Sequence, residues 1–508
     1  IGILIKNSGT SQDFNLTLNF TDISPWSISS TNLTNPFDLG STEVKNVNVG
    51  IDSTTLTENE TYDAFVIIKN SLEDYATIPL SLTIEPRDTC YIPLGSGVCS
   101  APGDCSCLTQ ALNDNENCYN EVRLTEDISN QATTCIDDPV NFTNKVLDCQ
   151  GNTIDGDEQP LAYAVNASTK ENITIRNCTI TDWDGGLAFS ESLNITVHGN
   201  YFNDVEDSVY YFQTNNSRIY SNEFSSCTQA AYLQNSSNNS VYDNTFNLSE
   251  DGILLMASDH TIIENNNLSS MISRGIVLTQ YSHYNTVRYN ELTDVSDEAI
   301  GLRNSYHNYL YNNTLQDTYS ENIKLTDVLN ATLYNNTLND SIDGQGIIAT
   351  NTNLSTISEN IIKYNDLDGL GLDNSHNNTI TDNLIFANNA HGIKLLDSEN
   401  NTVLNNNISN NTYDGISFHF SAGESINNNL SSNIVCYNGN DPSQYYDISA
   451  LSGNLGDHNT CDWVDNWADS SVAAGCANTC RNVSVIIDKT ANVTNASVGQ
   501  LFNYTITV

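Results

Sequence analysis

Val287-Arg288-Tyr289-Asn290-Glu291-Leu292, Leu310-Tyr311-Asn312-Asn313-Thr314-Leu315 and Leu333-Tyr334-Asn335-Asn336-Thr337-Leu338 are three copies of one phrase, about 23 residues apart. Followed outward in both directions, the phrase recurs along the middle of the chain. Its Asn stands at Asn200, Asn222, Asn244, Asn266, Asn290, Asn313, Asn336, Asn360, Asn383 and Asn406. An aliphatic residue sits three positions earlier each time, from Val197 and Ile219 to Ile380 and Val403. An apolar residue sits two positions later, from Phe202 and Phe224 to Ile385 and Ile408. Several repeats add Gly-Ile-x-Leu, as in Gly252-Ile253-Leu254-Leu255 and Gly392-Ile393-Lys394-Leu395. A fixed period of this length is the signature of a solenoid.

Inside one repeat the apolar residues come in pairs at period two, which turns alternate side chains inward along short strands. No repeat holds a helical period long enough for a helix. Two or three short strands per turn with Asn, Asp and Gly corners describe a parallel β-helix. Eleven or so coils about 4.8 Å apart predict a stack roughly 50 Å long. The recurrent Asn is expected at a corner in or near the left-handed region, its amide bonded to the coils above and below.

The chain has 508 residues and a net charge of −45, from 62 acidic and 17 basic side chains. That balance argues against nucleic acid and anionic membrane surfaces as partners. No apolar run is long enough to span a bilayer, so no direct membrane insertion is expected in this segment. No secretory leader opens the chain, yet it starts on Ile1-Gly2-Ile3-Leu4-Ile5 and stops on Tyr504-Thr505-Ile506-Thr507-Val508, both strand-like. It is expected to be a piece of a longer protein.

Residues 1–87 carry short alternating runs such as Asn15-Leu16-Thr17-Leu18-Asn19-Phe20 and predict an Ig-like β-sandwich. Residues 88–140, rich in Cys and irregular, are expected to cap the first coil. Residues 141–480 form the β-helix with a Cys- and Trp-bearing far cap, and residues 481–508 start a further Ig-like module.

Asn-x-Ser/Thr sequons are abundant, and Asn194, Asn215, Asn238, Asn330, Asn353, Asn377 and Asn400 all precede the next repeat Asn by six or seven residues. They are expected to line one outer corner and to carry N-glycans. Thirteen cysteines agree with export. Cys90, Cys99, Cys105, Cys107, Cys118, Cys135, Cys149 and Cys178 flank the repeats on one side, and Cys436, Cys461, Cys476 and Cys480 on the other. All are disulfide candidates, and the odd total leaves one free thiol or one intermolecular bridge. Cys105-x-Cys107 and Cys476-x3-Cys480 lack the matched partners of a metal site.

Leu147-Asp148-Cys149-Gln150-Gly151-Asn152-Thr153-Ile154-Asp155-Gly156, followed by Asn172-Ile173-Thr174-Ile175-Arg176-Asn177-Cys178-Thr179-Ile180, resembles the first coils of archaeal parallel β-helix surface proteins. The repeats resemble the NosD-type, or pectate-lyase-like, right-handed β-helix repeat over about residues 135–480. The resemblance implies an all-β fold and a place in an envelope layer, sheath or surface appendage. NosD itself is associated with copper-site maturation, but two Met and eight scattered His give copper no support here.

β-Helices also carry polysaccharide lyases and hydrolases, whose chemistry needs clustered carboxylates with Lys, Arg or His on one outer face. The outward residue of Gly-Ile-x-Leu runs Leu254, Val277, Gly301, Lys324, Ile348, Gly371, Lys394, Ser417, and holds no carboxylate pair. The residue before the Gly runs Asp251, Arg274, Glu298, Glu321, Gln345, Asp368, His391, Asp414. Because Asp-Gly is a common turn, that column is read as a solvated corner, with calcium as the one ion it could take. Tyr220, Tyr242, Tyr311 and Tyr334, with His198 in the same place, form an outward aromatic stripe. The expected protein is therefore an extracellular, cell-surface, N-glycosylated structural element that assembles with copies of itself. It is not expected to be an enzyme, and no cofactor other than calcium is foreseen. A carbohydrate-binding adhesin and a polysaccharide lyase or hydrolase are the alternatives.

Overall fold

A computed structural model describes residues 105–480, except 116–117, 422–424 and 442, together with the backbone of strands between residues 2 and 92 and the side chain of Cys90. The chain divides into two units, residues 1–89 and 90–508. In the first unit, Gly2–Lys6, Val44–Asp52 and Ser27–Thr31 form one antiparallel sheet, and Phe37–Leu39, Gln12–Phe20, Thr61–Asn70 and Tyr75–Thr83 another. The module expected over residues 481–508 lies outside the described residues.

The second unit is a parallel β-helix of about 14 turns. A representative coil runs through Ile262–Glu264, Asn267–Met271 and Arg274–Thr279, three short strands separated by tight corners. Each strand pairs in parallel with its counterpart one coil on: Ile262–Glu264 with Thr286–Arg288, Asn267–Met271 with Glu291–Val295, and Arg274–Thr279 with Ile300–Tyr306. Alternate residues point inward and stack like over like. Ile263, Val287, Leu310, Leu333 and Ile357 are essentially inaccessible to solvent, as are Phe202, Phe224 and Phe246, whose rings stack 4.8 and 4.7 Å apart. Each buried side chain of this kind contributes about 1.5–3 kcal/mol.

The stack is longer than the eleven or so coils the repeat suggests. Glu121–Leu124 already pairs with Val146–Asp148, although no recurrent Asn marks that coil. Beyond Asn406 the spacing stretches to 27 and then 26 residues, through Asn433 and Asn459, while the pairing continues to Leu455–Asp457. Corner loops absorb the extra residues, so the period fails where the register does not.

The recurrent Asn side chains form a buried ladder. Asn290 shows the arrangement: its Nδ2 donates to Ile263 O and to Asn313 Oδ1, both at 3.0 Å, and its N–H donates to the same Oδ1. Its own Oδ1 accepts the N–H and Nδ2 of Asn266, one coil back, at 3.0 Å. The ladder therefore satisfies both its own amides and the corner backbone. Its last member, Asn459, donates to Asp469, a carboxylate that accepts without needing an onward acceptor.

The ladder Asn does not occupy the left-handed region. The residue before it does, for example Tyr289 (φ 54°), Asn312 (φ 57°) and Glu359 (φ 55°). The reversal falls one residue early because the Asn must keep its side chain inward and its N–H aimed at the next amide. Two further ladders escape the sequence reading: Asn365, Asn388, Asn411 and Asn438, ending on Asp447, and Asn378, Asn401, Asn428 and Asn454.

The N-terminal end is closed by the helix Cys105–Asn113, which buries Leu108, Ala111 and Leu112. Lys145 is buried beneath it and donates to Leu112 O at 2.7 Å and Asp114 O at 3.0 Å, satisfying carbonyls at the helix C-terminus. Disulfides link Cys90 to Cys118, Cys105 to Cys135, Cys149 to Cys178, Cys436 to Cys480 and Cys461 to Cys476. Cys107 is also disulfide-bonded, and Cys99 lies outside the described residues. Cys227, buried in the body of the helix, is the free thiol among the described residues.

Asn290→Ala leaves the Asn266 N–H without its acceptor and Ile263 O without its Nδ2 donor inside a dry corner, while Asn313 Oδ1 keeps only the backbone N–H of residue 290, at a cost of about 2–4 kcal/mol. A lowered urea midpoint would record it. A loss near zero would mean that the ladder does not hold the corner.

Candidate functional site

The Gly-Ile-x-Leu strands lie side by side on one face, including Arg274–Thr279, Ile300–Tyr306, Ile323–Leu329, Ile347–Thr350, Leu370–Asp373, Ile393–Leu396 and Ile416–His419. This register aligns the residues before each Gly as a column, from Asp251 and Arg274 inside their strands to Glu298, Asp368, His391 and Asp414 at the corner just before theirs. The corner is as expected, but it is not solvated. Asp251, Glu298, Asp368, His391 and Asp414 are all at most 9% exposed. The flat sheet places each acid beside a base of its own or a neighbouring coil, and paired charges tolerate burial. Arg274 grips Asp251 through two nitrogens, Arg303 binds Glu298, and Lys324 binds Glu321 at 3.1 Å. Gly371 leaves the room that Gln345 uses, since a Cβ there would lie 2.2 Å from Gln345 Oε1.

The densest group lies where His391 and His419 join the column. Lys394 Nζ stands 3.7 Å from Asp368 Oδ2, and Asp368 Oδ1 accepts the His391 N–H at 3.0 Å. Asp414 accepts the Tyr446 N–H at 2.7 Å and the Ser417 hydroxyl at 2.8 Å. Ser417 Oγ is 3.0 Å from His419 Nε2, and the two histidine rings lie 5.4 Å apart. Tyr413 meets His391 edge-on and stacks on Tyr445 at 4.5 Å, forming an aromatic rim.

Burial sets the protonation of this group. It pushes His391 down to about 4, against the pull of Asp414, while His419 and Lys394 add to the depression. Although His391 Nδ1 lies 3.5 Å from an Asp414 oxygen, it accepts the Asp414 N–H at 3.2 Å, so the ring is neutral and this is no ion pair. Burial and Lys394 lower His419, and burial raises Asp368 despite Lys394. Along the column, burial also raises Glu298 to about 7, opposed by Arg303. A neutral histidine, a carboxyl raised by burial and a lysine side by side are groups suited to acid–base chemistry.

The other expected positions distribute as follows. His198, Tyr220 and Tyr242 stack at 4.8 and 4.9 Å with rings nearly parallel, so their faces cover one another. The stripe then breaks at Glu264 and Arg288, and Arg288 binds the Tyr311 hydroxyl at 2.7 Å. Only Tyr334 remains well exposed. Asn194, Asn238, Asn330, Asn377 and Asn400 share one exposed left-handed corner. Asn215 and Asn353 sit one residue early and half-buried, with their Oδ1 atoms accepting the N–H groups of Ser237 and His376. Away from the sheet cluster, carboxylates of Glu158, Asp182 and Asp204 lie within 4.8 Å of one another, which raises Asp182 further than burial alone.

The chain matches two family profiles: residues 149–328 match one described as periplasmic copper-binding protein (NosD), and residues 300–488 one described as right handed beta helix region. It is thus a right-handed β-helix protein. No curated protein matches it in sequence. Among solved structures it is similar to a double mutant of the periplasmic alginate epimerase AlgG, at 15% identity over 68% of this chain and 76% of that one, TM-score 0.37. It is similar to the A-module of the Azotobacter vinelandii mannuronan C-5 epimerase AlgE4, at 13% identity over 75% and 97%, TM-score 0.39. A mutant tailspike protein of E. coli bacteriophage HK620 follows, at 12% identity over 74% and 73%, TM-score 0.46. At these values the likeness shows the fold alone. The expectation that the chain is not an enzyme is nonetheless corrected, because the similar structures are mostly enzymes on this scaffold. That expectation followed only the outward column of the face and took the acidic corner as solvated, whereas it is buried. The disulfides and the periplasmic profile point to a location outside the cytoplasm. No helix among the described residues is long and apolar enough to cross a membrane.

Unfolded His391 titrates at about 6.5, and in the fold at about 4. As pH falls through this window the unfolded chain gains a proton that the folded chain refuses, so stability falls. His391→Asn should remove on the order of 2 kcal/mol of that loss, read as the difference in urea midpoints between neutral and acid pH. An unchanged pH slope would assign the titration to another group.

Proposed function

We propose that the protein binds an extended polysaccharide along the Gly-Ile-x-Leu face and performs acid–base chemistry on it at Asp368, His391, Lys394, Asp414 and His419. The observation that carries this reading is the cluster itself: Asp368 raised by burial and two histidines lowered by it, with Lys394 and Asp414 beside them on one side of the coil stack. A strip that repeats polar pairs at each coil suits a polymer of polar rings better than a small molecule enclosed in a pocket. Its cations, Arg274, Arg303, Lys324 and Lys394, are each matched by an acid. A chain of −45 with so balanced a face suits a neutral or sparsely charged glycan over a dense polyanion. The adhesin alternative loses support, because the stacked His198, Tyr220 and Tyr242 offer ring edges instead of faces to a sugar.

Asp368 and Asp414 stand two coils apart, about 10 Å by coil spacing, wider than the roughly 5 Å of a double-displacement carboxylate pair. The geometry therefore favours direct attack by water, or proton abstraction by histidine. Incubation with a panel of neutral and uronic polysaccharides should yield new reducing ends. Ultraviolet-absorbing unsaturated ends would identify a lyase, and their absence a hydrolase. Asp368→Asn should lower the rate by at least 100-fold with the fold intact. Equal rates in the variant, or no product and no binding across the panel, would exclude the reading.

A second reading has its own support. The exposed corner of Asn194, Asn238, Asn330, Asn377 and Asn400 suits an N-glycosylated surface element that assembles with copies of itself. Glycopeptide mass spectrometry of native material should find glycans at these five positions and none at Asn215 and Asn353, which are half-buried with their Oδ1 atoms held by backbone N–H groups of the next coil. Occupancy at the latter two alone would contradict it.

A further inference from the structure

The hydrogen bonds around Asp414 fix more than the position of the two histidines. Ser417 is 1% exposed, too enclosed to act as a nucleophile, and its one hydroxyl proton goes to Asp414 Oδ2 at 2.8 Å. Its oxygen can therefore only accept from His419 Nε2 at 3.0 Å, which requires that nitrogen to carry the proton. In the neutral ring Nδ1 then holds the lone pair. His391 is fixed the same way, because its Nδ1 accepts the Asp414 N–H and its proton must sit on Nε2. One aspartate, through its side chain and its backbone, thus assigns the same Nε2–H tautomer to two rings 5.4 Å apart.

We propose that Ser417 is a positioning residue that sets the tautomer of His419 and leaves Nδ1 as the base of the site, with His391 as a fixed N–H donor. The proposal rests on the acid–base reading of this cluster. In the step it describes, a substrate O–H or C–H bond breaks, the proton moves to His419 Nδ1 and the bonding pair stays on the substrate. The imidazolium keeps its Nε2–H on Ser417, and the Ser417 proton stays on Asp414, so no proton passes along the chain of bonds. Lys394 on the neighbouring strand and Asp368 one coil further back also face His419, the first opposing its protonation and the second favouring it. On the other side, Asp447 is occupied by the N–H groups of Asn438, Asp462 and Trp463. That leaves Asp414, through Ser417, as the partner that orients the ring.

Long-range proton–nitrogen NMR on the full chain with nitrogen-15 histidine tests this without substrate, with His419 assigned by its loss in His419→Gln. The wild type should show His419 protonated on Nε2 at neutral pH and His391 likewise. Ser417→Ala should admit the Nδ1–H form and move the His419 titration to lower pH, and Ser417→Thr should restore both. A wild-type His419 protonated on Nδ1, or a Ser417→Ala variant with tautomer and titration unchanged, would overturn the proposal. The wild-type spectrum decides even if the alanine variant fails to fold. Correct tautomers without polysaccharide turnover would sink the functional reading and leave this assignment standing. Turnover with the wrong tautomer would sink only the assignment.

Discussion

A dry corner cannot be built from backbone alone, and in this protein the asparagine amide is what makes one tolerable. Each coil must turn sharply three times, and every turn buries N–H and C=O groups that neither strand line can satisfy. An Asn at that point supplies two donors and one acceptor on a short side chain, enough to bind the coil behind and the coil ahead at once. Asn290 does this with five contacts near 3.0 Å. Stacking of the strands follows, because neighbouring corners cannot shift without breaking both amides.

That locked register is also what assembles the face. Asp368, His391 and Asp414 are 23 residues apart in sequence, yet each stands one coil from the next, because the ladder leaves the sheet no freedom to slip. In a sheet with a loose register the same residues would point to either side. Here the acids are packed against bases, and the resulting desolvation raises Asp368 and Glu298. A fold that looks like inert stacking thereby generates reactive surroundings wherever its outer columns mix Asp, His and Lys.

The sequence makes the coil, its inward residues and the main ladder legible because these repeat at a fixed period, as at Ile263, Val287 and Leu310. It does not show the Asn365 and Asn378 ladders, which occupy corners where Ser, Thr and Ala also serve, as at Ser341 and Ala331. The left-handed residue is misplaced by one, since Tyr289 and Glu359 give no compositional hint of that backbone. The column of Asp251, Glu298, Asp368, His391 and Asp414 is legible as a list of residues but not as a buried cluster. Asp-Gly rightly places Asp414 at the turn before Ile416–His419, but nothing local shows that this turn is buried against histidines and a serine. Lys145 under the cap was invisible for a related reason: nothing local announces that a lysine will be buried by a helix more than thirty residues earlier.

The aspartate at the end of the ladder has a consequence for how such molecules come to differ in size. Every amide in the row hands one hydrogen forward to the next and the other back to a carbonyl of the coil behind, so the row has a head and a tail, and Asp469 serves only as a tail. A whole turn of chain copied into the interior meets the same neighbours on both sides and adds height without new chemistry. The same copy placed after the terminal carboxylate would find no acceptor chain to join. Growth by internal duplication is thus nearly neutral and growth at the tip is not, which makes the number of turns a quantity that descent can alter readily while leaving the two ends, and the chemistry near them, as they were.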